Sequence, residues 1–386
     1  MRFATKAIHT GQEPDPETGA IVPPIYQTST YAQQGIGRHK GYDYARTKNP
    51  TRDRLEANLA ALEEGAYGIC FSSGMAATTT VLHLLSASDH VLASDDLYGG
   101  THRLLTQVLQ RSWGLACDFV NTSDLDAVRA AWRPETKLVW VETPTNPLLK
   151  ISDIAAVAAL ARSRGALCAV DNTFMSPYFQ RPLTLGADLV MHSTTKYLGG
   201  HSDLVGGAVV TSNSEVCERL KFLQNAIGAV PGPFDCWLTL RSVKTLAVRM
   251  EAHQRGAERI VELLRAHPAV AKVYYPGLPD HPGHDIARRQ MTGFGGMVSF
   301  VVRGDFEATK RIAAATRLFA LGESLGGVES LVCHPVSMTH GSIPKAHRDR
   351  IGITDNLLRL SVGIEDPDDL VDDLTQALNV AIPTRA

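Results

Sequence analysis

Long hydrophobic runs are absent from this sequence, since no stretch approaches the roughly 18 apolar residues that a transmembrane helix needs. The segment from Met1 to His9 has no apolar core of the kind that marks a secretion signal. The formal net charge is only −2, and nucleic-acid binding normally requires a basic face. We therefore expect a cytoplasmic chain that has neither membrane nor nucleic-acid partners.

Closely spaced cysteine pairs are also missing. The six cysteines are scattered and form no Cys-x-x-Cys motif, so we expect buried, reduced thiols and no metal site. Internal repeats and low-complexity tracts are absent. At 386 residues the chain exceeds the usual limit of about 250–300 residues for a single hydrophobic core. This length predicts one large domain and one smaller domain.

Residues 1–50 show little hydrophobic periodicity and are rich in Gly, Pro, Thr and Tyr. An N-terminal arm of this kind needs a surface to lie on, and a neighbouring subunit is one candidate. Regular structure is predicted from Asn49 onwards, because Leu55, Leu59 and Leu62 recur at the spacing of one helix face.

Apolar strands and helices then alternate along the chain. Continuous apolar strands separated by helices indicate an α/β fold with a mainly parallel sheet covered on both faces. Functional side chains of such sheets collect at the carboxyl ends of the strands. Glu142, Asp171 and His192 each end a predicted strand, so we expect the site at that edge.

A long helical stretch, from about Asp235 to Leu264, is predicted to lead into a second domain. That domain has predicted strands near 270–275, 297–302 and 358–363, and predicted helices near 306–316 and 367–378. We therefore expect a large domain over residues 51–245 and a smaller C-terminal α/β domain over residues 246–386.

The segment from His192 to His201 places Lys196 just after a strand, between hydroxyl side chains and glycines. A desolvated lysine becomes a neutral amine that attacks an aldehyde such as that of pyridoxal phosphate (PLP). Ser193 and Thr195 could supply donors to the phosphate of that cofactor. Taken alone, the segment also fits a surface lysine in a loop.

Three further segments complete the pattern. Asp171 ends a strand and could keep the PLP pyridine nitrogen protonated, although it could also be a strand-end turn. Gly74 and Met75 open an apolar helix whose first N–H groups could bind a phosphate, or could simply start the helix. Tyr98 lies on a glycine turn and could stack on the cofactor ring, or pack as a loop tyrosine.

Together these segments resemble the Cys/Met-metabolism family of fold-type-I PLP-dependent enzymes, which are aspartate-aminotransferase-like. The resemblance extends from Ala7 to Glu365 and includes the segments 42–46, 142–147 and 323–327. It implies the PLP cofactor, an amino-acid substrate and self-association, as a homotetramer built from two active dimers.

The resemblance also implies roles for individual residues. Lys196 would hold PLP as a Schiff base and act as the catalytic base, Asp171 would pair with the pyridine nitrogen, and Tyr98 would stack on the ring and assist proton transfer. The remaining implied cofactor contacts are Gly74, Met75, Ser193, Thr195 and Asn146, with Tyr44 and Arg46 reaching the phosphate of the neighbouring subunit. Arg359 would bind the substrate α-carboxylate, with Ser324 and Asn146 beside it.

Within the family, the sequence resembles the enzymes that process cystathionine at the γ-carbon. Gly100 stands where methionine γ-lyases carry a cysteine, and Glu323 stands where methionine-type enzymes tend to be apolar. Glu323 and Asp43 could receive the distal ammonium of cystathionine and Arg103 a distal carboxylate, or each could be a solvent-facing charge of little energetic weight.

The γ-lyase and the γ-synthase bind overlapping substrates, and these motifs do not separate elimination from replacement; of the two we expect a cystathionine γ-lyase. The alternative within the family is a cystathionine γ-synthase, which joins an O-acyl-homoserine to cysteine. An alternative of another class is a non-catalytic PLP-binding sensor or scaffold, for which loss of Lys196 or Arg359 would be the expected mark. Both residues are present.

Overall fold

The computed structural model describes residues 1–341 and 343–380. Two β-sheets, each with its own apolar core, organise the chain. Trp140 is fully buried in the core beside the first sheet and Phe300 in the core beside the second. The predicted α/β fold class is confirmed, whereas the predicted domain boundaries stay a prediction.

The first sheet has seven strands and is mainly parallel. In sheet order its strands are β1 (Tyr67–Phe71), β7 (Gly207–Thr211), β6 (Leu189–Ser193), β5 (Leu167–Asp171), β4 (Thr136–Glu142), β2 (His90–Ser94) and β3 (Ala116–Val120). Strands β6, β5, β4, β2 and β3 run parallel, while β7 runs antiparallel to both of its neighbours. Because β4 and β5 pair in register at their ends, Glu142 lies beside Asp171.

Helices accompany this sheet in the alternating order that the sequence predicts. They are α1 (Phe3–His9), α2 (Pro50–Leu62), α3 (Gly74–Leu82), α4 (Gly99–Arg103), α5 (Gln110–Trp113), α6 (Leu125–Ala130), α7 (Ile154–Ser163), α8 (Ser176–Phe179) and α9 (Ser214–Ile227). A π-helical segment, Leu104–Leu109, joins α4 to α5, and a 3-10 turn spans Pro182–Leu185. Asn49 caps α2 and Asp153 caps α7, as their positions before apolar periodic segments indicate.

The helical stretch predicted near 235–264 is two helices, α10 (Pro233–Val243) and α11 (Leu246–Ala266). The break falls at Thr245, whose hydroxyl donates to the carbonyl of Ser242 and accepts from Arg249 Nε. A side-chain hydroxyl that bonds to the backbone in this way competes with the helical pattern, which explains why hydrophobic periodicity alone missed the break.

The second sheet has five strands and is mostly antiparallel. In sheet order they are β10 (Ala320–Leu321), β11 (Leu331–Cys333), β12 (Leu357–Ser361), β9 (Met297–Val302) and β8 (Val270–Tyr274), with β10 and β11 parallel. The accompanying helices are α12 (His284–Gln290), α13 (Phe306–Ala315), α14 (Lys345–Ile351) and α15 (Pro367–Asn379).

The N-terminal arm is irregular apart from α1 and an isolated bridge between Thr30 and Tyr44. All six cysteines are free, and Cys117 is only half-buried, unlike the fully buried thiols that we expected. In the part of the chain that the structure describes, no helix combines the length and the apolar character that crossing a membrane would require.

Candidate active site

A cavity of about 350 Å³ opens at the carboxyl edge of the first sheet. Residues in or close to the second sheet also line it. Its volume is that of a small-molecule site. The structure brings together in its wall most of the residues predicted from the sequence, namely Gly74, Met75, Tyr98, Asn146, Asp171, Ser193, Thr195, Lys196, Glu323, Ser324 and Arg359.

Lys196 follows β6 in a tight turn and points into the cavity. Its Nζ donates to Ser324 Oγ over 2.7 Å. Burial lowers the pKa of Lys196 to about 8, with the nearby Arg359 cation acting in the same direction and Glu323 opposing it. About a tenth of this lysine is therefore a neutral amine at pH 7, far more than for an ordinary lysine, and the neutral form is the one that acts as a nucleophile or a base.

Two carboxylates lie side by side at the bottom of the cavity. Burial raises the pKa of Asp171, and burial together with the Asp171 charge raises the pKa of Glu142 well above its ordinary value. Asp171 Oδ1 accepts from the N–H of Thr173 over 3.0 Å. A cationic group placed here would be favoured, because it would neutralise charge that burial makes costly.

Glu142 also connects two walls of the cavity. Its Oε2 accepts the N–H of Tyr98 over 2.8 Å, and its Oε1 accepts the N–H of Asn146 over 2.9 Å. One carboxylate thereby holds the turn that presents the tyrosine ring and the turn that presents the asparagine amide.

One end of the cavity suits an anion. Ser73 caps α3 by accepting the N–H of Ala76, and within the described residues the N–H groups of Gly74 and Met75 have no hydrogen-bond acceptor. A Cβ on Gly74 would lie 2.9 Å from the Ser193 Cβ, so only glycine lets this helix start approach β6. Thr195 exchanges hydrogen bonds with Gly206 and steadies the loop. Free N–H groups at a helix start are a typical phosphate site.

A buried arginine forms the other end. Arg359, on β12, is 1% exposed; it donates from Nη1 to Asn146 Oδ1 over 2.7 Å and from Nη2 to the Ser324 carbonyl over 2.8 Å. Its Nε has no hydrogen-bond partner among the described residues. Ser324 has a φ of +93°, a strained backbone for a non-glycine residue, and this places its hydroxyl at Lys196. The free guanidinium N–H groups can bind a carboxylate.

Residues 4–379 match the family described as Cys/Met metabolism PLP-dependent enzyme. The chain belongs to this family. A cystathionine γ-synthase of Mycobacterium tuberculosis is 57% identical over 377 residues, which cover 97% of this chain and 96% of that protein. A cystathionine γ-lyase of Dictyostelium discoideum is 54% identical over 379 residues, which cover 98% of each chain.

Solved structures agree with this assignment. A crystal structure of metB from Corynebacterium glutamicum has a TM-score of 0.96 and 50% identity, and each chain is covered to 99%. A cystathionine γ-synthase from Xanthomonas oryzae, solved in complex with aminoacrylate and cysteine, has a TM-score of 0.96 and 46% identity, over 99% of this chain and 98% of that one. The chain is therefore an enzyme of amino-acid carbon–sulfur metabolism that uses PLP, as the sequence predicts.

The cavity fits PLP, the cofactor of this family. Lys196 supplies an amine of lowered pKa for the aldehyde, and Asp171 supplies a buried carboxylate for the ring nitrogen. The free N–H groups at the start of α3, beside Ser193, suit the phosphate. The individual roles predicted for these residues stay predictions.

Four predicted residues lie outside the cavity wall. Tyr44 and Arg46 are on the exposed arm, where Arg46 donates to the carbonyl and side-chain oxygens of Asn225 over 2.7 and 3.1 Å. Asp43 is exposed and accepts the N–H of Tyr44. Arg103 is near enough to Tyr98 to lower the pKa of that phenol against the dominant effect of burial, which raises it.

Several residues of the wall were not predicted as site residues, among them Glu142, Thr173, Phe174 and Thr339. The sequence did indicate two of them by position, because Glu142 ends an apolar strand and Thr173 follows Asp171 by two residues. Thr339 precedes α14 in an irregular segment, and nothing in its local sequence indicates a cavity.

Proposed function

We propose that the chain catalyses γ-elimination of L-cystathionine to cysteine, 2-oxobutanoate and ammonia. The observation that supports cystathionine as the substrate is the charge arrangement of the cavity wall. The Arg359 guanidinium can receive the substrate α-carboxylate, and the Glu323 carboxylate can receive the ammonium at the far end of cystathionine. Glu323 is close enough to Lys196 to raise its pKa, which places a negative charge within reach of the reacting amine.

The side chains of the cavity divide the work of this reaction. Arg359, held by Asn146 and Ser324, orients the α-carboxylate, and the neutral amine of Lys196 removes the α-proton. PLP, when bound, withdraws electrons from the substrate α-carbon. Lys196 accepts the second proton, from the β-carbon, after it has released the first, and the protonated phenol of Tyr98 gives its proton to the departing sulfur. The phenol of Tyr98 is 40% exposed, yet partial desolvation still raises its pKa, so it carries a proton that it can donate at neutral pH.

A second candidate is γ-replacement, in which cysteine displaces the acyl group of an O-acyl-homoserine. It is favoured by the 57% identical relatives, which are named cystathionine γ-synthases. The same carboxylate and guanidinium would then bind the product cystathionine. The non-catalytic alternative is not retained, because Lys196 and Arg359 both line the cavity and the family consists of enzymes.

Product analysis separates these activities. The loaded enzyme is supplied either with cystathionine or with an O-acyl-homoserine plus cysteine. Rapid release of cysteine and 2-oxobutanoate from cystathionine supports the proposal. Faster formation of cystathionine from the second mixture would replace it with the synthase, and release of homocysteine and pyruvate would indicate cleavage on the other side of the sulfur.

The role of Glu323 predicts a selective loss. Glu323→Ala removes a charged hydrogen bond worth about 1.5–3 kcal/mol, which corresponds to roughly 10- to 150-fold in kcat/KM for cystathionine. Because methionine has no distal ammonium, the kcat/KM of the variant for methionine should fall far less. The matched control is Glu329→Ala, six positions along the same segment and outside the cavity wall. Equal losses on cystathionine and methionine would contradict the role of Glu323.

We also propose that the active unit is at least a dimer, and that two dimers associate into a homotetramer. Arg46 is exposed on the arm, and buried Arg52 holds that arm by donating to the carbonyls of Ala45, Arg46 and Thr47. An arm that is held this firmly, and whose Tyr44 and Arg46 do not line the cavity of their own chain, is suited to present both residues to the phosphate of a neighbouring subunit.

A further inference from the structure

Thr339 and His340 lie at the edge of the cavity, in the segment between β11 and α14. Thr339 lines the cavity and His340 is fully buried behind it. The backbone of Thr339 is fixed against α4, because a Cβ on Gly99 would lie only 2.3 Å from the Thr339 carbonyl oxygen. Because this backbone cannot move away, the Thr339 hydroxyl keeps a defined position in the cavity wall.

The imidazole of His340 makes two hydrogen bonds. Its Nε2 lies 2.8 Å from the Asn146 carbonyl oxygen, and its Nδ1 lies 2.8 Å from Thr339 Oγ1. A carbonyl oxygen only accepts, so Nε2 must carry a proton. The Leu97 carbonyl is near enough to the ring to raise its pKa, but among the described residues only Thr339 Oγ1 and the Asn146 carbonyl meet the distance and angle of a hydrogen bond. Burial and the Arg359 charge lower the pKa of His340 to about 4, so the neutral ring has no proton on Nδ1.

The direction of the second hydrogen bond follows from this tautomer. An unprotonated Nδ1 can only accept, so the Thr339 hydroxyl donates its single proton to His340. Thr339 Oγ1 therefore presents only its lone pairs to the cavity. Thr339 can therefore receive an N–H donor, whereas it has no proton to offer to a carboxylate or a carbonyl group.

We propose that His340 is a positioning residue that makes Thr339 an acceptor for an amino group of the substrate. The inference rests on the proposed function, since every substrate considered there is an amino acid. The same imidazole donates to the Asn146 carbonyl and so steadies the asparagine that accepts from Arg359. His340 thus links the acceptor for an amino group to the residues that bind the α-carboxylate.

Two isosteric changes separate the two hydrogen bonds of His340. His340→Asn keeps an acceptor at the position of Nδ1 and loses the donor to Asn146. His340→Gln keeps a donor near the position of Nε2 and loses the acceptor for Thr339. Thr339→Val removes the hydroxyl at almost unchanged volume, and Thr339→Ser retains it. All variants are compared as holoenzymes that carry the wild-type content of PLP and melt as the wild type does.

The measurement is competitive inhibition by cystathionine analogues that lack either the α-amino or the distal amino group, compared with an inhibitor that keeps both. The preference for an amino group is the ratio of the inhibition constants measured without and with that group. We expect Thr339→Val and His340→Gln each to lower the preference for one amino group roughly 10-fold. His340→Asn and Thr339→Ser should keep that preference. The double variant Thr339→Val/His340→Gln should lose no more than either single change, because both remove one interaction.

The amino group for which the variants lose their preference identifies the end of the substrate that Thr339 binds. A loss at either end supports the inference. Unchanged preference in Thr339→Val, or losses that add in the double variant, would overturn it, as would an equal loss in His340→Asn. The inhibition constants do not depend on which reaction the enzyme catalyses. A wild-type enzyme that cleaves no cystathionine would therefore refute the proposed function while the test of His340 stands.

Discussion

At the scale of single residues, the chemistry of Lys196 depends on the groups around it, which together lower its pKa. If it is the attachment point of PLP, Lys196→Ala abolishes the visible absorption of the cofactor–lysine Schiff base, together with any attachment that borohydride reduction makes permanent. Lys345→Ala, an exposed lysine paired with Asp349, is the control and should leave both unchanged. A reduced, covalently held cofactor in the Lys196→Ala protein would contradict this role.

The neighbours of Lys196 predict how cofactor loading depends on pH. Only the neutral amine attacks an aldehyde, so the rate at which the apoenzyme captures PLP should rise with pH and level off above a pKa of about 8. Glu323 raises this pKa because it favours the charged lysine. Removing that charge with Glu323→Gln therefore shifts the midpoint of the rate profile to lower pH.

Glu329→Gln is the control for this shift, since Glu329 is not among the groups that perturb Lys196. Rates are compared as ratios to the wild type at each pH, so that ionisation of the cofactor itself cancels. An unchanged or higher midpoint for Glu323→Gln would show that the carboxylate does not act on the amine.

At the scale of secondary structure, the start of α3 is the element on which the anion site depends. Gly74→Ala would place a Cβ 2.9 Å from the Ser193 Cβ and 3.1 Å from its Oγ. Either α3 or β6 must move, and both carry proposed phosphate contacts. Overpacking of this kind costs about 1–3 kcal/mol, so we expect the Kd for PLP to rise by roughly 10-fold or more.

Gly232→Ala is the matched control at another helix start, because the nearest atom to its added Cβ is Asp235 Oδ2 at 3.6 Å. It should bind PLP as the wild type does. Titration of apoenzyme with PLP measures both variants. Equal affinities for the two would mean that the close approach of α3 to β6 does not matter for the cofactor.

At the scale of the whole molecule, the position of Arg46 predicts sites that are shared between subunits. Arg46→Ala and Lys196→Ala homodimers should both be nearly inactive. Random mixing makes about half of the dimers mixed, each with one intact site of two, so about a quarter of wild-type activity should return. The measurement is the activity of co-refolded or co-expressed chains.

Mixing Lys196→Ala with Arg359→Ala is the control for this recovery. Both residues line the cavity of one chain, so no mixed dimer contains an intact site and no activity should return. If the Arg46→Ala mixture also stays inactive although mixed dimers are present, Arg46 serves its own chain, and the proposed role of the arm is wrong.

Much of the first sheet and its edge could be predicted from local sequence, because the apolar runs and strand-end residues that indicate them lie within single elements. Continuous apolar runs predicted β2, β4, β5 and β6, and Asp171 and Lys196 follow directly from where two of those strands end. The helix start at Gly74 was visible from small residues before an apolar run. Local signals failed at the π-helical segment after α4 and at the break between α10 and α11, where side-chain and backbone hydrogen bonds override periodicity.

The sequence by itself determined the fold class, the family and the reactive amine, since apolar periodicity and contiguous motifs are local properties. Only the tertiary structure decided what surrounds that amine. Ser324 contacts Lys196 across 128 positions of the chain, and Arg359 contacts Asn146 across 213. The lowered pKa of Lys196, the bridge made by Glu142 and the proton direction in Thr339–His340 all arise from burial and from contacts between distant segments, which local sequence patterns do not encode.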